Sequence, residues 1–144
     1  MRKGSISSYI VVASAASILS VAVTANIRTS DAQPAPAAPA QLLTQPLADL
    51  PGREVRISLL DRAPQASSPP HRHPGHHTFG YVLEGTYEFA VDGGAPRTLK
   101  AGEVFYEPPG ALHSVSRNPS ADQRVKILVF MVADQKNPST VAAQ

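Results

Sequence analysis

Residues 71–85 read HRHPGHHTFGYVLEG, and residues 102–118 read GEVFYEPPGALHSVSRN. In both stretches short apolar runs are cut by proline and glycine, and together they contain all five histidines of the 144-residue chain. His71 and His73 stand two apart. Side chains at i and i+2 of an extended strand share a face, so both imidazoles can converge on one point. His76 and His77 follow the Pro74-Gly75 turn, and His113 follows a second turn, Pro108-Pro109-Gly110. Neutral imidazole is a ligand for Mn, Fe, Zn, Ni or Cu, and three such ligands leave positions open for water or substrate.

Outward from these stretches the hydrophobic period is two. Val55, Ile57 and Leu59 alternate with Glu54, Arg56 and Ser58, the pattern of a half-buried strand. Residues 79–84 and 86–91 read as two more strands about Gly85, the second with Tyr87, Phe89 and Val91 on one face. Asp92-Gly93-Gly94 is a hairpin signal, because such turns need positive φ. Residues 97–100, 104–106 and 112–116 supply three shorter strands. Residues 124–132 are apolar on both faces, as in a strand covered on both sides. No helical period appears in this body, and the expected fold class is all-β.

The two histidine stretches resemble the two signatures of the cupin superfamily. The first signature runs HxH, three or four residues, Glu, six residues, Gly. The second runs Gly, five residues, Pro, one residue, Gly, two residues, His, then Asn. Gly102, Pro108, Gly110 and His113 fit the second signature, and Asn118 falls one residue late. Sixteen residues, 86–101, separate the two. The resemblance implies a double-sheet jelly-roll β-barrel, often a homodimer, with a divalent metal ion inside. Carried over by position, His71, His73 and His113 are its three histidine ligands.

One departure concerns the glutamate. Six residues before Gly85 the pattern gives Thr78, a poor donor to a divalent ion. Three residues beyond His73 it gives His77, a good donor, and a one-residue bulge in the following strand would reconcile the registers. His77 is thus the candidate fourth ligand, with His76 and Thr78 the other occupants of that position. In the second reading His76 and His77 only rim the pocket. Glu107 reads as a solvated loop residue, with a hydrogen bond to a ligand imidazole as its other role. Tyr81, Tyr87 and Tyr106 read as wall packing.

The remaining chain sets the context. Residues 1–32 carry a positive head (Arg2, Lys3), an apolar stretch and small residues suited to cleavage near 25 or 32, the layout of a signal peptide. Export to the periplasm or beyond the cell is expected, with membrane anchoring if the segment is retained. Residues 33–46 read as a Pro/Ala tether, 47–134 as the barrel and 135–144 as a flexible tail. The net charge is +2 with scattered basic residues, which gives no nucleic-acid footprint. With no cysteine there is no thiolate site and no disulfide. No phosphate-cradling loop and no GxSxG elbow is present.

The expected function is therefore an exported barrel that binds a divalent metal and a small, anionic ligand. A metal-dependent dioxygenase-like or isomerase-like enzyme acting on a chelating substrate is the alternative, and a metal-free barrel is the third reading.

Overall fold

The computed structural model describes residues 38–144. The expected signal segment and the first residues of the tether lie outside them. Ten strands follow in order: β1 (Ala40–Pro46), β2 (Arg53–Arg62), β3 (His71–Arg72), β4 (His77–Glu84), β5 (Thr86–Val91), β6 (Arg97–Lys100), β7 (Val104–Glu107), β8 (Leu112–Arg117), β9 (Val125–Asp134) and β10 (Val141–Ala142). They form two five-stranded sheets, ordered β1-β2-β9-β4-β7 and β10-β3-β8-β5-β6, and every pairing is antiparallel. The described residues contain no helix. This is a double-sheet jelly roll.

The period-two pattern decides which side chains enter the space between the sheets. Along β4, Thr78, Gly80 and Val82 point inward and Phe79, Tyr81 and Leu83 point outward. Along β7, Phe105 and Glu107 are buried, while Val104 and Tyr106 face out. The apolar core gathers Leu60, Val82, Tyr87, Phe89, Leu99, Phe105, Val125 and Ile127. Phe89 and Phe105 meet with ring centroids 4.6 Å apart. Burying side chains of this size contributes roughly 1.5–3 kcal/mol each.

The Asp92-Gly93 turn has φ of 49° and 74°, the positive-φ pair that a tight hairpin requires. Asp92 also docks the turn on β8: its Oδ1 accepts from the Leu112 amide at 2.8 Å, and its own amide donates to the Leu112 carbonyl at 2.9 Å.

Both presumed loose ends differ from expectation. The last residues of the expected tether form β1, which pairs along β2 from Ala40↔Leu59 to Pro46↔Glu54. Its prolines sit at the strand end or before it, where no ladder amide is lost. The expected tail forms β10, which pairs with β3. Arg56 ties it down further, donating to the Asn137 carbonyl at 3.2 Å and to Ser139 Oγ at 2.9 Å.

A candidate metal centre between the sheets

His71 lies on the two-residue strand β3, and its register partner across the ladder is His113 on β8. His73 comes just after β3, where its carbonyl accepts from the amides of His76 and Gly110. The Pro74-Gly75 and Pro108-Pro109-Gly110 turns are thereby fastened to the same residue. One ring nitrogen from each of His71, His73 and His113 lies within 4.8 Å of the others. His73 and His113 are buried and His71 is half-buried.

Backbone carbonyls orient two of these rings. The Nδ1 of His71 bonds to the Pro69 carbonyl at 2.9 Å, and the Nδ1 of His73 bonds to the Ser139 carbonyl. A carbonyl only accepts, so each Nδ1 carries the proton and each Nε2 keeps a free lone pair. Burial holds the His71 pKa below the ordinary histidine range, and the neighbouring His113 and His73 add to that against the opposing Pro69 bond. The neutral form is the one that ligates.

The facing sheet contributes Glu107. It is 2% exposed, and its Oε2 lies 3.2 Å from His113 Nδ1 and 3.6 Å from His73 Nε2. Despite this proximity, neither Glu107 Oε2 nor His113 Nδ1 makes an aligned hydrogen bond among the described residues. Buried polar atoms are nearly always satisfied, and a group that is not invites a ligand or ion as explanation. Nitrogen and carboxylate donors that converge without a shared hydrogen suit a divalent cation, so the residues present fit the metal that the resemblance implies.

His77 and His76 do not join this cluster. His77 falls on the outward parity of β4 with Phe79. Its ring lies nearly parallel to that of Tyr106 (14°), and its Nδ1 shares a hydrogen bond with the Tyr106 hydroxyl at 2.8 Å. The anticipated bulge is absent there: β4 runs in unbroken register with β9 from His77 to Val82 and shifts only beyond it. Thr78 therefore points inward, with its Oγ1 buried and unpartnered among the described residues. His76 is fully buried, accepts at Nδ1 from the Asp134 amide at 3.0 Å and donates from Nε2 to the Pro138 carbonyl at 2.8 Å.

Glu107 is the principal correction to the sequence reading, which placed it in solvent. The signal was its parity with Phe105 at i+2, obscured by ending the strand at Tyr106. Arg62 was missed for a different reason: the alternation put the apolar face of β2 on Val55, Ile57 and Leu59, whereas Leu60 and Arg62 are its buried residues and Arg56, Ser58, Leu60 and Arg62 line the cavity.

Arg62 lines the same cavity of about 550 Å³ as the three histidines and Glu107. It is 4% exposed, donates to the Ser116 carbonyl at 2.8 Å, to Ser116 Oγ at 3.0 Å and to Ser68 Oγ at 2.7 Å, and leaves Nε unpartnered. No carboxylate pairs with it among the described residues. Ser116 Oγ lies 2.6 Å from the Tyr87 hydroxyl, which in turn lies 3.4 Å from His113 Nε2. A polar chain thus joins the guanidinium to the histidine cluster. Burial pushes the Tyr87 phenol pKa up, so it stays protonated.

Residues 58–131 match the family model described as Cupin domain, a span of half the chain. Germin-like protein subfamily 2 member 2 of Arabidopsis thaliana is 38% identical over 68 residues, covering 44% of this chain and 31% of that protein. A putative germin-like protein 12-4 of Oryza sativa subsp. japonica is 30% identical over 105 residues, covering 67% of this chain and 45% of that one. The chain thus spans less than half the length of these curated relatives. Among solved structures, a recombinant oxalate oxidase in complex with glycolate superposes with a TM-score of 0.59 at 26% identity, covering 77% of this chain and 57% of that one. A DMSP lyase from Ruegeria pomeroyi gives a TM-score of 0.55 at 25% identity, covering 62% of this chain and 43% of the other. With the jelly roll, the paired signatures and the family match in agreement, the chain belongs to the cupin-domain family.

Proposed function

We propose that this is an exported cupin that holds a divalent metal ion on His71, His73 and His113 and binds a small carboxylate-bearing ligand beside it. The observation that carries the metal reading is the convergence of three ring nitrogens, two of them with their lone pairs set by backbone carbonyls. A divalent ion there supplies positive charge and open coordination positions for an oxygen ligand.

The anionic character of the ligand is supported by Arg62. A buried guanidinium without a carboxylate partner is costly, and an anion entering the cavity offsets that cost. The similarity to an oxalate oxidase in complex with glycolate agrees with a ligand of this size and charge. It also favours a second reading, in which the ligand is a chelating substrate that the metal-loaded protein consumes.

Elemental analysis of the wild-type protein and of His71→Ala/His73→Ala tests the metal. About one equivalent in the first and a trace in the second is expected, and equal content overturns the reading. Calorimetric titration of the metal-loaded protein with glycolate and with neutral glycolamide tests the anion. Equal affinity for the two overturns it. Consumption of the carboxylate during incubation separates enzyme from binding module.

Two further parts of the proposal concern context. Export rests on the layout of residues 1–32, and fractionation of the producing cells tests it. Among the described residues no helix is long and apolar enough to cross a membrane. Homodimerisation is supported by the outer face of β4 and β7, where Phe79, Tyr81, Val104 and Tyr106 are each more than 40% exposed. Sedimentation of Phe79→Glu/Tyr81→Glu as a monomer and of the wild type as a dimer is expected.

A further inference from the structure

We infer that Glu107 is the carboxylate ligand of this centre, supplied from the strand opposite the usual one. The inference rests on the three-histidine reading above and names a fourth protein donor for it. Thr78 occupies the position where the first signature ordinarily carries glutamate. Thr78 and Glu107 are direct register partners across the β4–β7 ladder, and both are buried between the sheets. Register partners in an antiparallel pair have Cβ atoms roughly 4.5–5.5 Å apart on the same face. A carboxylate that moves from one member of the pair to the other therefore still reaches the same space.

Three observations make Glu107 a ligand and not a buried hydrogen-bond acceptor. Its Oε2 faces His73 Nε2, which bears a lone pair because the proton of that ring is committed to the Ser139 carbonyl. It faces His113 Nδ1 at 3.2 Å without an aligned hydrogen between them. His73 Nε2 and Glu107 Oε2 are thus two acceptor atoms in a dry site, which repel each other unless a cation lies between them. The spacing to His113 also fits, since two ligand atoms at about 2.1 Å from one ion stand roughly 3.0–3.4 Å apart. The 3.6 Å to His73 Nε2, with Glu107 outside the 4.8 Å histidine group, requires the carboxylate to close in on the ion when it binds. Thr78 Oγ1, on the same sheet, is too weak a donor to fill this role.

The centre would then combine three neutral imidazoles with one carboxylate. A divalent ion bound here retains one net positive charge, where three histidines alone would leave two, and that is enough to attract an anionic ligand alongside Arg62.

Competition titration of Zn²⁺ or Mn²⁺ against a chromophoric chelator tests the assignment, with four proteins compared: wild type, His71→Ala/His73→Ala, Glu107→Gln, and the exchange variant Thr78→Glu/Glu107→Thr. Gln keeps the shape of Glu and one acceptor oxygen but replaces the other with a donating NH2 and removes the charge. Glu107→Gln is expected to lose at least tenfold in metal affinity, and the exchange variant to return to within a few-fold of wild type. Unchanged affinity in Glu107→Gln overturns the inference while leaving the histidine reading intact. Full metal binding by His71→Ala/His73→Ala overturns the histidine reading itself. A folded exchange variant, checked by far-UV circular dichroism, that binds no better than Glu107→Gln overturns the cross-strand exchange. If the exchange variant does not fold, the visible spectrum of Co²⁺-loaded Glu107→Gln decides: a spectrum identical to wild type overturns the inference, and a shifted one supports it.

Discussion

His73 Nδ1 is bonded to the carbonyl of Ser139, 66 residues further along the chain. A candidate metal ligand is thus oriented by a segment that reads from sequence as a frayed end. The same segment gives the Pro138 carbonyl to His76 and the Asn137 carbonyl to Arg56. Outer partners of ligating histidines fix the tautomer and the ring angle, and their loss typically costs 10–100-fold in metal affinity. A chain ending at Lys136 is expected to fold, since β1 to β9 remain, but to bind metal about tenfold or more weakly. Chelator competition on the truncated and full chains checks this. Equal affinities would show that the segment has no part in arranging the centre.

Arg62 offers a separable prediction about the ligand. Its guanidinium already has two serine hydroxyls and a carbonyl as partners, yet no carboxylate among the described residues compensates its charge. Burial lowers its pKa from the ordinary value, against a smaller raising effect from Tyr87, and a guanidinium remains charged in either case. Met removes the charge but leaves the Ser116 carbonyl and the Ser68 and Ser116 hydroxyls without that donor, and each buried group left unpaired costs about 1–3 kcal/mol. Arg62→Met is therefore expected to retain metal and to unfold at a lower temperature than wild type, while losing roughly tenfold or more in affinity for glycolate. Calorimetry and thermal unfolding on one preparation read both effects. Undiminished glycolate binding would remove Arg62 from the ligand site.

Much of this was legible in the sequence because strand period and signature spacing are local properties. The 86–91 and 97–100 strands fall where the alternation placed them, and the HxH pair meets His113 because β3 and β8 are register partners. What escaped was set by pairings distant in sequence. Nothing in LLTQP announces that it will lie along β2, since every residue of β1 is exposed and no inward face shows in its pattern. Glu107 looked solvated because its chemistry argued for solvent more loudly than its parity with Phe105 argued for burial. His77 looked like a ligand by residue type, but type cannot override the strand parity that it shares with Phe79.

The buried ring of His76 predicts how the metal-free protein responds to acid. Its Nδ1 accepts from the Asp134 amide, so protonating that nitrogen would set two N–H groups against each other. Burial, reinforced by the charge of Arg56, holds its pKa below the ordinary 6.5 against the opposing Pro138 bond. The unfolded chain consequently takes up the proton at a higher pH than the folded one. The stabilisation is fully present above about pH 6.5 and is lost as pH falls through the folded-state pKa. The melting temperature of apo protein should be flat between pH 7 and 8 and fall below about pH 6.5. His76→Gln should melt lower throughout and with a shallower pH slope, the remainder coming from His71, whose pKa is also lowered. Parallel slopes in the two proteins would remove His76 as the source.

Gly80 tests the packing on which the centre rests. Its register partner is Phe105, and a Cβ added at Gly80 would stand 2.0 Å from Phe105 Cζ and 2.1 Å from Cε1. The ring cannot swing aside freely, because it packs against Phe89 at 4.6 Å and Tyr87 at 5.5 Å between centroids. Overpacking a filled core typically costs 1–3 kcal/mol, and a contact this close belongs at the upper end. Gly80→Ala is expected to lose about 3 kcal/mol, which for a body of this size lowers Tm by roughly 10–20 °C. Phe105→Leu alone leaves a void, but combined with Gly80→Ala it makes room for the methyl group, so the double variant should be destabilised by less than the sum of the single changes. Strict additivity in urea unfolding would mean that the added methyl group finds space elsewhere. Thr78 and Glu107 sit two residues away on the same two strands, so any shift of the Phe105 ring that moves β7 should also appear as weaker metal binding in Gly80→Ala.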